Sequence, residues 1–140
     1  MIKVFLDANV FFAAAYSSTG GSFYILELAR KDKITVFTSR LAVKEAEKNL
    51  RDKASEEVLD RFYNFMSEID IKFVEANRDL AKRKFAKIAG EKDAPILAAA
   101  LKSGAKFLIT LDRKHLLNIG FPIVPDLRIV TPGKFIEKHL

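Results

Sequence analysis

The sequence lacks cysteine and tryptophan altogether: its 140 residues contain no Cys and no Trp. The absence of Cys excludes a fold held together by disulfides, a thiolate nucleophile and a thiolate metal site. Apolar residues make up 49% of the chain, which is too many for a disordered segment. A chain of this length can bury a core of its own, so we expect one domain that spans residues 1–140.

Long hydrophobic runs are also missing. The longest stretch without a charge covers residues 8–26, and its middle contains Ser, Thr and Gly. This stretch is too polar to cross a bilayer. The apolar run at residues 1–6 is followed by Asp7 and Asn9 and by no suitable cleavage site, which does not fit a signal peptide. The sequence therefore predicts a cytoplasmic protein without a membrane partner.

Charge is distributed unevenly along the chain. Residues 1–70 contain 10 basic and 11 acidic residues, whereas residues 71–140 contain 14 basic and 7 acidic ones. A basic half suggests an anionic partner, with nucleic acid as the first candidate. A solvated, lysine-rich surface would explain the same counts.

Short apolar runs alternate with longer helical patterns. The predicted strands cover residues 2–6, 34–38, 69–74, 106–111 and 128–130. The predicted helices cover residues 10–16, 22–31, 39–53, 56–66, 78–88, 93–102 and 133–138. Pro95 is tolerated only in a first helical turn, so it predicts that its helix begins near Asp93. This alternation predicts a three-layer α/β/α sandwich around a central parallel sheet of four to five strands.

Acidic residues follow two of the predicted strands. Asp7 ends the first strand, Asp112 follows the fourth, and Asp93 lies at a predicted helix start. Ligand sites in open parallel sheets lie at the carboxyl ends of the strands, so these acids are expected at one rim. The helix after the second strand offers Glu45 and Glu47 as a further acid. Taken singly, each Asp would also fit a helix N-cap.

Several carboxylates at one rim repel one another, and a divalent cation relieves that repulsion. Oxygen ligands suit Mg²⁺ or Mn²⁺. The two histidines, His115 and His139, are too far apart in sequence for a helical ligand pair. His115 is expected to be a surface residue or an incidental substrate contact. A carboxylate site of this kind is typical of metal-assisted phosphodiester hydrolysis.

Four acidic motifs occur in a particular order. They are residues 7–10 (DANV), residues 38–50, which begin with Thr-Ser and contain Glu45, residues 93–100 (DAPILAAA) and residues 107–112 (FLITLD). In order and spacing this pattern resembles the PIN domain, a small α/β metal-dependent nuclease fold that includes many prokaryotic toxin ribonucleases. Residues 128–135 are similar to the last strand and helix of that family, so the resemblance spans nearly the whole chain.

The resemblance implies which residues form the site. The catalytic and metal-binding acids would be Asp7, Glu45, Asp93 and Asp112, with Asn9 and Thr110 as supporting polar residues. The family spacing favours Glu45 over Glu47, although helical periodicity leaves both open. Some members of the family have a fifth acid after the last Asp, where this chain has Arg113, Lys114 and His115.

The resemblance also implies an activity: a Mg²⁺- or Mn²⁺-dependent endoribonuclease that leaves a 5′-phosphate and a 3′-hydroxyl. The implied partners are RNA, an antitoxin protein if the chain is the toxin of a toxin–antitoxin pair, and a second copy of the chain in a dimer. Basic side chains of the second half are expected to hold the RNA, namely Arg83, Lys87, Lys92, Arg113 and Lys114.

Other α/β classes fit the sequence less well. A phospho-receiver domain needs paired acids on its first strand, where residues 1–5 have none. A haloacid-dehalogenase-type phosphatase needs Asp where this chain has Asn9, and a dinucleotide-binding domain needs a Gly-x-Gly-x-x-Gly motif that is missing after the first strand. A non-catalytic RNA-binding or interaction protein on the PIN scaffold stays open.

Overall fold

The computed structural model describes residues 1–119 and 127–140. Its elements in chain order are β1 (Lys3–Leu6), α1 (Ala8–Tyr16), α2 (Gly21–Arg30), β2 (Thr35–Thr38), α3 (Arg40–Lys53), α4 (Glu56–Glu68), β3 (Ile71–Phe73), α5 (Arg78–Ser103), β4 (Phe107–Ile109), β5 (Arg128–Val130) and α6 (Pro132–His139). The predicted alternation of strands and helices is thus confirmed.

The five strands form one parallel sheet in the order β3-β2-β1-β4-β5. All five predicted strands are present, although β3 and β4 are shorter than the predicted ranges 69–74 and 106–111. β1 lies in the centre, and Val4, Phe5 and Leu6 are fully buried. A strand that is covered on both faces needs such a continuous apolar run.

The order of the strands determines the layers. From β1 the chain moves outward through β2 to β3, and α5 then carries it back across the sheet to β4 on the other side of β1. Because parallel crossovers are right-handed, α1–α4 cover one face and α5 covers the opposite face. α1 contacts α2, α3 and α4, α6 contacts α2, and α5 contacts β2. The predicted three-layer α/β/α sandwich is therefore correct.

α5 consists of two helical segments. The sequence predicts two helices over residues 78–88 and 93–102, and the stretch Arg78–Ser103 is divided by a kink at Gly90, which confirms the division. Gly90 has φ 81° and ψ 158°, a conformation that residues with a Cβ adopt only under strain. The second segment follows Gly90 directly, so its start agrees with the predicted start near Asp93 to within about one turn.

Among the described residues, no helix combines the length and apolar character that a membrane span requires.

A candidate metal centre at the carboxyl edge of the sheet

The candidate site lies where β1 and β4 end side by side. The chain leaves β1 towards β2 and leaves β4 towards β5, so the strand order reverses between them. Such switch points form the crevice in which α/β proteins bind ligands. Asp7 follows β1 directly, and the backbone N–H of Asp7 donates to the carbonyl of Ile109 in β4 over 3.1 Å.

Asp7 is a buried carboxylate with a partner on each oxygen. It is the N-cap of α1, and its Oδ1 accepts the backbone N–H of Ala8 over 2.7 Å. Its Oδ2 accepts the hydroxyl of Thr110 over 2.8 Å. These hydrogen bonds hold the side chain in one orientation, and only 4% of the residue is exposed. Asp7 thus both caps α1 and belongs to the acidic site.

Asn9 and Thr110 join the ends of β1 and β4. The Asn9 amide nitrogen donates to Asp7 Oδ2 over 3.3 Å and to Thr110 Oγ1 over 3.2 Å, while its oxygen accepts the backbone N–H of Leu111 over 3.0 Å. Thr110 Oγ1 also accepts the backbone N–H of Asp112 over 3.0 Å. This network fixes the segment after β4 relative to Asp7. Both polar residues therefore lie where the resemblance implies.

Asp93, Asp112 and His115 form the tightest group of potential ligands. One ligand atom from each lies within 4.8 Å of the other two. His115 Nδ1 is 3.6 Å from Asp93 Oδ2 and 3.5 Å from Asp112 Oδ2. Asp112 Oδ1 accepts the backbone N–H groups of Lys114 and His115, over 3.1 and 3.0 Å. Oδ1 thus stabilises the turn after β4, and Oδ2 faces the site.

Glu45 and Glu47 point in different directions from α3. Glu47 Oε2 accepts the Tyr63 hydroxyl of α4 over 2.6 Å and lies 3.5 Å from Arg51. Glu45 Oε1 lies 3.2 Å from Lys92 of α5, and the charge of Glu45 raises the pKa of Asp7. Of the two glutamates left open by helical periodicity, Glu45 is therefore the one that faces the acidic site.

Burial and like charges change how these acids ionise. Burial raises the pKa of Asp7 to about 6, with smaller contributions from the charges of Glu45 and Asp112, against the hydrogen bonds from Thr110 and Ala8. Burial also raises the pKa of Asp93 to about 7, helped by a hydrogen bond shared with Asp112 and by the charges of Asp7 and Asp112. In the metal-free protein, a proton therefore resides on Asp93 up to near-neutral pH.

Asp112 behaves in the opposite way. Burial would raise its pKa, but the backbone N–H of His115, the hydrogen bond from Asp93 and the charge of His115 together hold the pKa of Asp112 below its usual value. Asp93 and Asp112 share one proton between them, with Asp112 the ionised partner. This is the behaviour of two carboxylates that share one site.

The donor chemistry of the site fits a small divalent cation. The charges of Glu45 and Asp112 raise the pKa of Asp7, and those of Asp7 and Asp112 raise the pKa of Asp93, so the four carboxylates lie in one neighbourhood. Asp7 and Glu45 lie beside the tighter group of Asp93, Asp112 and His115 rather than within it. Carboxylate oxygens are the ligands preferred by Mg²⁺ and Mn²⁺, so these residues can hold the ion that the fold family implies.

A basic groove adjoins the acids. A cavity of about 630 Å³ lies between α3 and α5, with Glu45 in its wall and Leu41, Pro95 and Ile96 as its apolar part. Its basic residues are Lys44, Lys48, Arg78, Lys82 and Lys92. We call this cavity the α3–α5 groove. Of the basic residues predicted to hold RNA, Lys92 lines it, whereas Arg83, Lys87, Arg113 and Lys114 are exposed outside its lining.

Comparisons with known proteins agree with this geometry. The sequence model of the family described as PIN domain matches residues 3–114. The chain belongs to the PIN domain family. The sequence resemblance to this family is thereby confirmed.

Solved structures share the fold. The chain is similar to a structure of VapBC2 from Rickettsia felis bound to a DNA fragment from their promoter, with a TM-score of 0.66, 19% identity and coverage of 93% of this chain and 98% of that one. It is also similar to PAE2754 from Pyrobaculum aerophilum, with a TM-score of 0.63, 18% identity and coverage of 98% of this chain and 88% of that one. A comparison with curated proteins finds no match.

Sequence reasoning missed two features of this PIN domain. His115 is exposed, as expected for a surface residue, but its position beside Asp93 and Asp112 was not predicted. Its spacing of three residues from Asp112 was the available signal, because a turn can bring such residues together. Lys44, Lys48, Arg78 and Lys82 were also not singled out, although their spacing of four residues within each helix places each pair on one face.

The pH dependence of the free energy of unfolding, measured without metal, tests whether ionisation of the buried acids opposes folding. Asp7 and Asp93 bind protons more tightly in the folded than in the unfolded protein, so their stabilisation is present below about pH 4 and is lost as the pH rises through about 6 and 7. For Asp7, the difference between 3.8 and about 6 corresponds to about 3 kcal/mol. Denaturant titrations in chelator at several pH values should show this loss.

The Asp7→Asn variant provides the control, because an amide does not ionise. Its free energy of unfolding in chelator should fall less between pH 4 and 8 than that of the wild type. Asp70 is an exposed acid that precedes β3 at the amino-terminal edge of the sheet. The variant Asp70→Asn should leave the pH dependence unchanged. Identical pH profiles for wild type and Asp7→Asn would show that Asp7 is not the strained carboxylate.

Proposed function

We propose that this PIN domain is a metal-dependent endoribonuclease that hydrolyses RNA phosphodiester bonds. The observation that carries the proposal is the convergence of Asp7, Glu45, Asp93 and Asp112 from four separate parts of the chain at one edge of the sheet. PIN domains are generally nucleases, so family membership supports the reaction class. The proposed cofactor is Mg²⁺ or Mn²⁺.

The four acids would bind the ion, and the residues that hydrogen-bond to them would keep them oriented. When bound, a divalent ion supplies charge stabilisation at the scissile phosphate and lowers the pKa of water. Asp93 and Asp112 offer their Oδ2 atoms from two sides, while Thr110 and Asn9 keep Asp7 oriented. Glu45 completes the acidic set from α3. Because the Lys92 side chain is 82% exposed, its ammonium can leave Glu45 and contact a phosphate.

The α3–α5 groove supports a polyanionic substrate. Five basic side chains line it against two acidic ones, Glu45 and Glu91, and Glu45 joins the groove to the metal centre. Phosphate contacts of this kind are independent of sequence. Arg83, Lys87, Arg113 and Lys114 remain proposed as outer contacts to the RNA. We infer that the protein meets its RNA in the cytoplasm.

Cleavage assays on Asp7→Asn test the reaction. RNA should be cut in Mg²⁺ or Mn²⁺ and remain intact in chelator. Asp7→Asn should lower the rate at least about 100-fold, because the lost charge would otherwise contribute several kcal/mol through the ion. The products should carry 5′-phosphates and 3′-hydroxyls, which end-specific ligation detects.

Asp70→Asn is the matched control and should cut RNA at the wild-type rate, because it removes an equal charge at the far edge of the sheet. Cleavage by Asp7→Asn at the wild-type rate would refute the assignment of the site. RNA that is bound but left whole under every metal condition would instead support the alternative function, a non-catalytic RNA-binding protein on the PIN scaffold.

The two glutamates of α3 give a sharper test within one helix. Glu45→Gln should slow cleavage by about tenfold or more, because it removes a negative charge that faces Asp7. Glu47→Gln should leave the rate unchanged, because Glu47 contacts Tyr63 and Arg51 instead. The ratio of kcat values under saturating metal measures the difference. Equal losses in both variants would contradict the role given to Glu45.

Salt dependence tests the α3–α5 groove as the RNA-binding surface. The triple variant Lys44→Gln, Lys48→Gln, Lys82→Gln should bind RNA more weakly and with a shallower salt dependence. Each lost phosphate contact lowers the slope of log K against log salt by about 0.7 for single strands, so three should lower it by about 2. Fluorescence anisotropy in the Asp7→Asn background measures binding without cleavage.

A second triple variant, Lys31→Gln, Lys33→Gln, Lys106→Gln, has the same net charge. These exposed lysines precede β2 and β4 at the amino-terminal edge of the sheet, away from the groove. Their removal should leave the slope close to that of the parent. If both triples reduced the slope equally, the RNA would be held by overall charge rather than by the groove.

The structural similarity to VapBC2 supports a narrower version of the proposal, in which the chain is the toxin of a toxin–antitoxin pair. An antitoxin protein would then be a partner, and a second copy of the chain would form a dimer. This reading leaves the chemistry of the metal centre unchanged and adds a protein that controls access to it.

A further inference from the structure

His115 lies at the open side of the metal centre. Its side chain is 48% exposed, and its Nδ1 is the atom that faces the acids, 3.6 Å from Asp93 Oδ2 and 3.5 Å from Asp112 Oδ2. The backbone N–H of the same residue donates to Asp112 Oδ1 over 3.0 Å. His115 and Asp112 therefore contact each other through both backbone and side chain, which limits the positions available to the ring.

Two neighbouring features hold the ring in this position. Leu116 is fully buried and anchors the turn in the core, and the Leu117 N–H donates to the Asp112 carbonyl over 2.9 Å. On the other side, the break in α5 brings the backbone of Gly90 to the imidazole. A methyl group at position 90 would lie 3.6 Å from His115 Cδ2, in ordinary contact. The ring thus lies near the helix break that precedes Asp93, with room for a methyl group between them.

The distances suit donors that share an ion. Donor atoms about 2.1 Å from one ion lie about 3.0 Å apart when adjacent in an octahedron and about 4.2 Å apart when opposite. The separations of 3.5 and 3.6 Å from Nδ1 to the two carboxylate oxygens exceed the adjacent spacing by about 0.5 Å, a shift that the exposed imidazole can make when an ion binds. Both are too long for good hydrogen bonds.

We propose that His115 Nδ1 is a metal ligand of this centre, together with Asp93 Oδ2 and Asp112 Oδ2, and that this nitrogen makes the site selective for Mn²⁺-type ions over Mg²⁺. The inference rests on the proposed function, in which the acids hold a divalent ion. Imidazole nitrogen suits the divalent transition metals, whereas Mg²⁺ prefers a shell of oxygen ligands. Binding through Nδ1 places the imidazole proton on Nε2.

Imidazole NMR tests the ligand directly, because the chain contains only two histidines. In histidine-labelled protein, one equivalent of Zn²⁺, a diamagnetic probe, should shift the Nδ1 resonance of His115. His139 packs on Phe107, with ring centroids 4.4 Å apart, and serves as an internal control that should not move. Mg²⁺ should move the His115 nitrogens much less than Zn²⁺. An unchanged His115 spectrum with bound Zn²⁺, or equal shifts at both histidines, would refute the proposal.

Metal affinities provide the second test. His115→Asn should weaken Mn²⁺ binding, followed by electron paramagnetic resonance, at least about tenfold, since even outer partners of metal ligands change affinity by 10- to 100-fold. Mg²⁺ affinity, measured by competition with Mn²⁺, should change much less. Asn118→Ala, which changes an exposed and uncharged residue of the same segment, should alter neither the Mn²⁺ affinity nor the Mg²⁺ affinity. Equal losses for both ions would show that His115 acts through charge or structure rather than as a nitrogen ligand.

Failure of this inference is distinguishable from failure of the proposed function. If the His115 resonances do not shift with metal while the wild type still cuts RNA in Mg²⁺ or Mn²⁺, the nuclease proposal is supported and the ligand assignment is refuted. If His115 Nδ1 binds Zn²⁺ and Mn²⁺ but no metal supports cleavage, the ligand assignment stands and the nuclease proposal falls.

Discussion

Asp7, Asp93 and Asp112 meet at one edge of the sheet, and burial raises the pKa values of Asp7 and Asp93 to about 6 and 7. The charge of Asp112 further disfavours the ionisation of both, whereas hydrogen bonds and the charge of His115 hold the pKa of Asp112 itself below its usual value. A cluster of this kind opposes folding at neutral pH unless positive charge is present. Hydrogen bonds to Asp7 and Asp112 and the ammonium group of Lys92 beside Glu45 offset part of this cost.

Two of the acids whose burial opposes folding also stabilise the backbone around the site. Asp7 caps α1 and binds Thr110 and Asn9, and Asp112 stabilises the turn that follows β4. Capping and metal binding are therefore not competing explanations for these two acids, because each carboxylate uses only its Oδ1 for the cap or turn. Asp93, which lies inside the second segment of α5, has no such role in a cap.

Much of this arrangement could be predicted from the sequence. The apolar strands are short and separated by helices, so a parallel sheet follows, and its carboxyl edge must contain Asp7 and Asp112. The choice between Glu45 and Glu47 could not be derived from helical periodicity, because both flank the apolar stripe of α3. That choice depends on tertiary contacts, because Glu47 contacts Tyr63 whereas Glu45 contacts Lys92.

The position of His115 relative to the break at Gly90 was not predictable. The sequence predicts that the helix is interrupted between residues 88 and 93, but it does not predict that Gly90 lies near a residue 25 positions later. With φ at 81° and ψ at 158°, another residue at position 90 would cost roughly 1–3 kcal/mol in backbone strain. The glycine thus orients the segment that contains Asp93, and the same bend lies near the imidazole. Helix break, turn and acidic centre therefore form one structural unit.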